Sequence, residues 1–186
     1  WNTVNLPRLE PLLAHQDEER RQIAAAVMDR FSREVAPALP GLRKQVIYND
    51  LNAHNVLVDE DDPDAVTGKI DFGDLVHAPL VNDLAIACAY QFGGSADPLG
   101  AVGEFVEAYH RTLPLSAQEA ELLPALIAAR LATTVLITGW RARLYPHNSA
   151  YILRNNALSW AALHILSGRS DQQLKAWARR CCGMET

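Results

Sequence analysis

Between Tyr48 and Asp74 the chain reads YNDLNAHNVLVDEDDPDAVTGKIDFGD, and this stretch constrains the fold more than any other. A β-favouring run, Gln45 to Tyr48, feeds a polar loop that holds Asp50 and, five residues on, Asn55. Val56 to Val58 and Val66 to Ile70 flank an acidic turn, the pattern of a hairpin. A hairpin returns the chain to its starting end, so the Asp50 loop and the turn Asp71-Phe72-Gly73-Asp74 should meet there. Two carboxylates and a carboxamide would then face one space. Such oxygen donors suit a hard cation such as Mg²⁺, which takes one or two protein carboxylates and completes its shell with water and phosphate. Taken singly, each piece is ordinary turn chemistry, because Asn and Asp side chains bond nearby backbone. Their joint register, each at the end of a β segment and 21 positions apart, is what points to catalysis.

The motifs D-L-N-A-H-N (Asp50 to Asn55) and I-D-F-G-D (Ile70 to Asp74), with Asp83-Leu84-Ala85 downstream, resemble the catalytic half of protein-kinase-like phosphotransferases. Within these, the chain is most similar to the aminoglycoside phosphotransferase and choline kinase group. Kinase-type sites place an Asp, an Asn five positions later, and an Asp in a D-F-G run. The resemblance implies that Asp50 orients the acceptor hydroxyl and takes its proton, while Asn55 and Asp71 hold Mg²⁺ against the phosphates of ATP or GTP. It further implies that Asp83 braces the catalytic loop, and that Leu57 and Ile70 form the floor under the nucleotide base. The family usually carries His two residues before the catalytic Asp; Tyr48 stands there in this chain and takes the loop-supporting place. The resemblance implies an α+β, mainly α fold, the helical carboxy-terminal lobe of a kinase-like protein with a small hairpin carrying the active loops.

The 186 residues make about one domain, 1–186, and 49% hydrophobic residues can build a single core. A net charge of −5 leaves no basic footprint for nucleic acid and no polybasic membrane anchor, so a small-molecule partner is favoured. Cys88, Cys181 and Cys182 have neither zinc-site nor disulfide-framework spacing, which fits a reducing cytoplasm. No glycine-rich loop precedes Asp50, and the only lysine before it is Lys44. The expectation is therefore a lobe of a larger enzyme, separated near Trp1 from its own amino-terminal nucleotide-binding lobe and ending arbitrarily at Thr186.

Along the chain, Trp1 to Leu13 is punctuated by Pro7 and Pro11 and reads as an extended or irregular surface linker. Asp17 caps a helix whose apolar positions Ile23, Val27, Phe31 and Val35 recur every four residues, until Pro37 and Pro40 end it. The acidic turn Asp59 to Asp64 lacks the spacing and glycine of a calcium loop. His77 reads as a surface or loop-supporting residue, and Asp83 as the start of a buried helix capped by Asn82 or Asp83. Val102 to Leu113 form another amphipathic helix. Ser116 and Glu119 make a capping box before a long apolar helix that runs to Tyr145. Pro124 and Arg130 interrupt its apolar run, so it reads as the centre of a helical bundle and not as a membrane span. Asn148 or Ser149 starts a helix through His164 that Gly168 closes, and Ser170 with Gln173 caps the last one.

The acceptor is expected to be a hydroxyl on a small amine or amino acid. The I-D-F-G-D segment and the later W-R-A-R-L-Y-P-H-N-S-A-Y-I-L-R-N resemble hydroxylysine-kinase-like proteins; aminoglycoside, choline and homoserine kinases are the neighbouring classes. Residues 11 apart on a helix differ by about 20° in direction, so Arg130 and Arg141 share a face, with Thr134 near it. Buried charges need partners. Structural pairing of these arginines within the lobe is one expectation. The other is that Arg141, beside Trp140, binds an acceptor carboxylate in the cleft next to Asp50 while Asp74 attracts its amine. The competing reading of the whole chain is a non-catalytic kinase-like binding or regulatory module. The oligomeric state is left open.

Overall fold

The computed structural model describes residues 2–184; Trp1, Glu185 and Thr186 lie outside the described residues. The fold is α+β and mainly α, as the sequence indicates. Helix α1 (Glu18–Arg30) starts where Asp17 accepts the Arg20 N–H at 2.9 Å, with Glu18 and Glu19 placed favourably at the positive end of the helix dipole. It runs into one π turn, Phe31–Val35, before Pro37. Its buried residues are Ala24, Met28, Phe31 and Val35, so the inward face is rotated by one position from the expected Ile23 and Val27, which are half-buried.

The segment before α1 corrects the sequence reading. Thr3–His15 is a run of 3-10 turns, not an irregular linker, and it packs on the longest helix with Leu6 fully buried. Pro7 and Pro11 lack N–H groups, so no continuous α ladder runs through this segment. Asn2 caps it by accepting the Val4 N–H at 3.1 Å.

Two small antiparallel ladders carry the loops. Strand β1 (Lys44–Ile47) pairs with β4 (Val76–Pro79), and β2 (Val56–Val58) pairs with β3 (Val66–Lys69). The hairpin is as expected, whereas β4 was not foreseen. Ile47, Ala78 and Leu80 form a small separate core beneath the first ladder, and His77 of β4 is exposed.

The bundle follows. Helix α2 (Leu80–Ala89) begins after Pro79, with the Leu80 N–H donating to the Arg43 carbonyl at 2.8 Å; neither Asn82 nor Asp83 caps it. Helix α3 is Pro98–Thr112, and α4, Ala117–Leu144, is the central element, packed against α2 and against the later α6 and α7. The capping box is present: the Ser116 N–H donates to Glu119 at 2.8 Å and the Glu119 N–H to the Ser116 hydroxyl at 3.2 Å. By length and composition α4 could cross a membrane, but nearly all of its apolar stretch lies buried inside the bundle. Three threonines on it, Thr133, Thr134 and Thr138, return their hydroxyls to carbonyls four residues back, which satisfies them without water. The single helix expected from Asn148 to His164 is two, α5 (Ser149–Ile152) and α6 (Asn156–Ser167), broken at Leu153 to Asn155. Helix α7 is Asp171–Cys181, with the Ser170–Gln173 capping box in place.

Candidate active site

The loop after β1 is fixed from below. Asp83 on α2 accepts the N–H groups of Asn49, at 2.7 Å, and Tyr48, at 3.4 Å. Asn49 takes a left-handed conformation, φ 67°, which Asn tolerates better than other side-chain-bearing residues. A backbone held at this angle on a buried helix sends the next residue, Asp50, toward α4.

Every lone-pair direction of the Asp50 carboxylate is occupied by a donor. Its Oδ1 accepts from the Tyr90 hydroxyl at 3.1 Å and from Arg130 Nη2 at 3.0 Å. Its Oδ2 accepts from the carboxamides of Asn52 and Asn55, each at 3.1 Å. Arg130 also donates to the Tyr90 hydroxyl at 3.1 Å, closing a triangle. Burial pushes the Tyr90 phenol above its ordinary pKa more than the Arg130 charge lowers it, so the hydroxyl keeps its proton and remains a donor to Asp50. Arg130 and Tyr90 were not assigned to the site from sequence. A charged residue in the middle of a buried apolar helix was the available signal for Arg130; Tyr90, at the end of α2, gave none.

Asn55 and Asp71 come together through the hairpin. The Val56↔Lys69 register places Asn55 beside Ile70, whose N–H donates to the Asn55 carbonyl at 3.0 Å. Asp71 follows in a left-handed conformation, φ 62°, with its Oδ1 facing the Gly73 N–H at 3.4 Å. Tyr48 spans the two loops: its hydroxyl donates to the Ile70 carbonyl and its ring meets Phe72 edge-on at 5.5 Å. Lys69 lies over the same ring at 5.2 Å. Burial, followed by the Asp50 and Asp71 charges, pushes the Tyr48 phenol up, which preserves its donor role. Since Asn55 commits its nitrogen to Asp50, its oxygen is left to face elsewhere. That carboxamide oxygen and the exposed Asp71 carboxylate could serve as donors to a cation that shares its shell with water and phosphate. Their chemistry fits Mg²⁺.

Leu57 and Ile70 are 46% and 45% exposed, so they are not buried hairpin residues; they stand on an open apolar face of the β2–β3 ladder. Asp50 lines a cavity of about 220 Å³ together with Tyr90, Arg130, Thr134, Thr138 and Arg141 on one side. The turn and start of the broken helix, from Asn148 to Asn155, close the other side. The shared face of Arg130, Thr134 and Arg141 is therefore real: Arg130 is paired within the lobe, with Asp50, and Arg141 lines the same cavity. Trp140 and Asp74, expected beside Arg141, do not line this cavity. One residue along a helix is a turn of about 100°, which sends Trp140 to a different face. Asp74 sits in the short turn Phe72–Asp74 beyond Asp71. The three cysteines are free; burial raises their thiol pKa values, Cys182 to about 11, so none is an activated nucleophile.

Comparison with known proteins agrees with this arrangement. The profile of the phosphotransferase enzyme family (APH) matches residues 3–122, and the chain belongs to that family. Hydroxylysine kinase of Mus musculus is 30% identical over 173 residues, covering 89% of this chain and 46% of that protein. Hydroxylysine kinase of Xenopus laevis is 27% identical over 186 residues, 95% of this chain and 50% of its own length. Homoserine kinase of Methylobacillus glycogenes is 32% identical over 130 residues, 68% of this chain and 38% of that protein. The chain spans about half the length of the hydroxylysine kinases it matches. No solved structure gives a significant match.

Proposed function

We propose that this chain is the acceptor-side lobe of a small-molecule kinase that moves the γ-phosphoryl group of ATP or GTP to a hydroxyl. The observation that carries this reading is the joint placement of Asp50 and Asn55 in one braced loop with Asp71 across the hairpin. Asp50 orients the acceptor hydroxyl and receives its proton. The hydroxyl oxygen bonds to the γ-phosphorus as the bond from phosphorus to the β–γ bridging oxygen breaks, and the nucleoside diphosphate leaves. Asn55 and Asp71 hold Mg²⁺, which when bound neutralises charge on the phosphates. The open apolar face at Leu57 and Ile70 takes the nucleotide base. The remainder of the phosphate clamp belongs to a partner lobe of the same protein, in keeping with the greater length of its relatives. Hydroxylysine and homoserine, the substrates named in those relatives, set the acceptor class as a small hydroxyl compound.

The test uses the full-length protein. Asp50→Asn and Asp71→Asn should each lower turnover by orders of magnitude, and only the second should markedly weaken Mg²⁺-dependent nucleotide binding. Near-wild-type transfer by either variant sinks the assignment. Nucleotide binding without transfer to any hydroxyl would instead mark a non-catalytic module.

A further inference from the structure

We propose that the acceptor is a hydroxy acid whose carboxylate is clamped by Arg141 and Arg154. This rests on the kinase reading above and narrows its substrate class. The cavity beside Asp50 is lined by three guanidinium groups, Arg130, Arg141 and Arg154, against one carboxylate, Asp50 itself. Arg130 is committed to Asp50 and Tyr90. The Arg141 side chain makes no hydrogen bond or ion pair with any other described residue, and Arg154 is stacked at 4.2 Å on the Tyr151 ring, which also lines the cavity. Stacking on an aromatic face orients a guanidinium plane and leaves its N–H edge free for a ligand.

The charge pattern decides the substrate class. A cationic acceptor with no carboxylate would enter a site where Asp50, the one acid among the described lining residues, is already paired and the other charges are positive, and like charges brought together are costly. A carboxylate meets two planar forks that match it in bidentate fashion. At about 220 Å³ the space is small. It lies below the roughly 300–1,000 Å³ usual for drug-sized ligands, which favours a compact acceptor. With the carboxylate at Arg141 and Arg154, the hydroxyl of a short hydroxy acid is directed toward Asp50.

The experiment compares homoserine with 3-aminopropan-1-ol, its decarboxylated counterpart, as acceptors for the full-length protein. Wild type should strongly prefer homoserine. Arg141→Ala and Arg154→Ala should each raise KM for homoserine on the order of 10- to 100-fold, the range for loss of a charged hydrogen bond, and, by removing a positive charge, lower KM for the cationic amino alcohol. Equal effects on both acceptors, or a preference for the amino alcohol, overturns the clamp while leaving the kinase reading intact. If neither compound is phosphorylated, calorimetric titration with homoserine decides. Saturable binding that Arg141→Ala abolishes supports the clamp and shifts the failure to the kinase reading. No saturable binding to wild type overturns the clamp.

Discussion

Asp50 has four donors and, as a carboxylate, about four places to receive them. An acceptor hydroxyl must therefore take the place of one donor, so the residues around Asp50 set how easily the base is reached. Tyr90 and Arg130 share Oδ1, and they differ in charge. Tyr90→Phe should lower kcat less than about tenfold, as for one neutral hydrogen bond. Arg130→Met should lower it on the order of 100-fold, with nucleotide KM little changed, because it removes a charged donor that holds the carboxylate. Steady-state kinetics on both substrates separates the two; a larger loss in Tyr90→Phe would contradict this ranking. From sequence, Asp50, Asn55 and Asp71 were legible because their spacing is local. Arg130 lies 80 positions from Asp50, and no periodicity states which buried acid a helix arginine will find. Only its need for a partner could be read.

Among the elements, the start of α4 shows how one residue can serve two ends. Glu119 completes the capping box and also receives Arg43, Nε at 2.9 Å and Nη2 at 2.6 Å, while its own side chain is wholly buried. Arg43 precedes β1, so this pair ties the first ladder to the bundle. Burial pushes the Glu119 pKa up, but the Arg43 and Ser116 hydrogen bonds more than offset it, and the value falls below the ordinary 4.5. A carboxyl depressed by folding adds stability above its unfolded pKa and loses it as pH falls through its folded one. Urea unfolding at pH 7 and pH 3 should therefore show an acid loss in wild type that shrinks in Glu119→Gln. At pH 7, Arg43→Ala should be the worse variant, about 3 kcal/mol, because it strands a buried charge. Arg43 is half exposed and can turn to water, so Glu119→Gln should cost only about 1 kcal/mol. Equal losses would mean that the pair does not act this way.

The same elements show what was readable. Both capping boxes and the hairpin follow from residues within a few positions of each other. Strand β4 escaped notice because His77 and Pro79 interrupt any alternation, and its partner β1 lies some 30 residues upstream. The 3-10 entry segment was hidden because its stability comes from burying Leu6 against the rest of the fold, which a local pattern does not reveal.

For the whole molecule, helical periodicity and the apolar α4 were enough to give a mainly α bundle built around one helix. The relative placement of its parts came from long-range packing. Since one core joins the helices, residues 1–186 alone should unfold cooperatively in urea. They should transfer no phosphate, and titration with Mg-ATP or Mg-GTP should give weak binding at most. Tight binding would show that this lobe holds a nucleotide unaided. The open β2–β3 ladder bears on how such a preparation behaves in a tube. Leu57, Val58, Val66 and Ile70 are exposed on it, and each strand has an unpaired edge that invites another copy to add on. At its tip stand Asp59, Glu60, Asp61, Asp62 and Asp64, all exposed, so two hairpins approaching tip to tip repel. That repulsion reaches only about 10 Å at 0.1 M salt and about 3 Å at 1 M. The acidic turn is thus a solubility guard, and concentrated salt is the condition that disarms it.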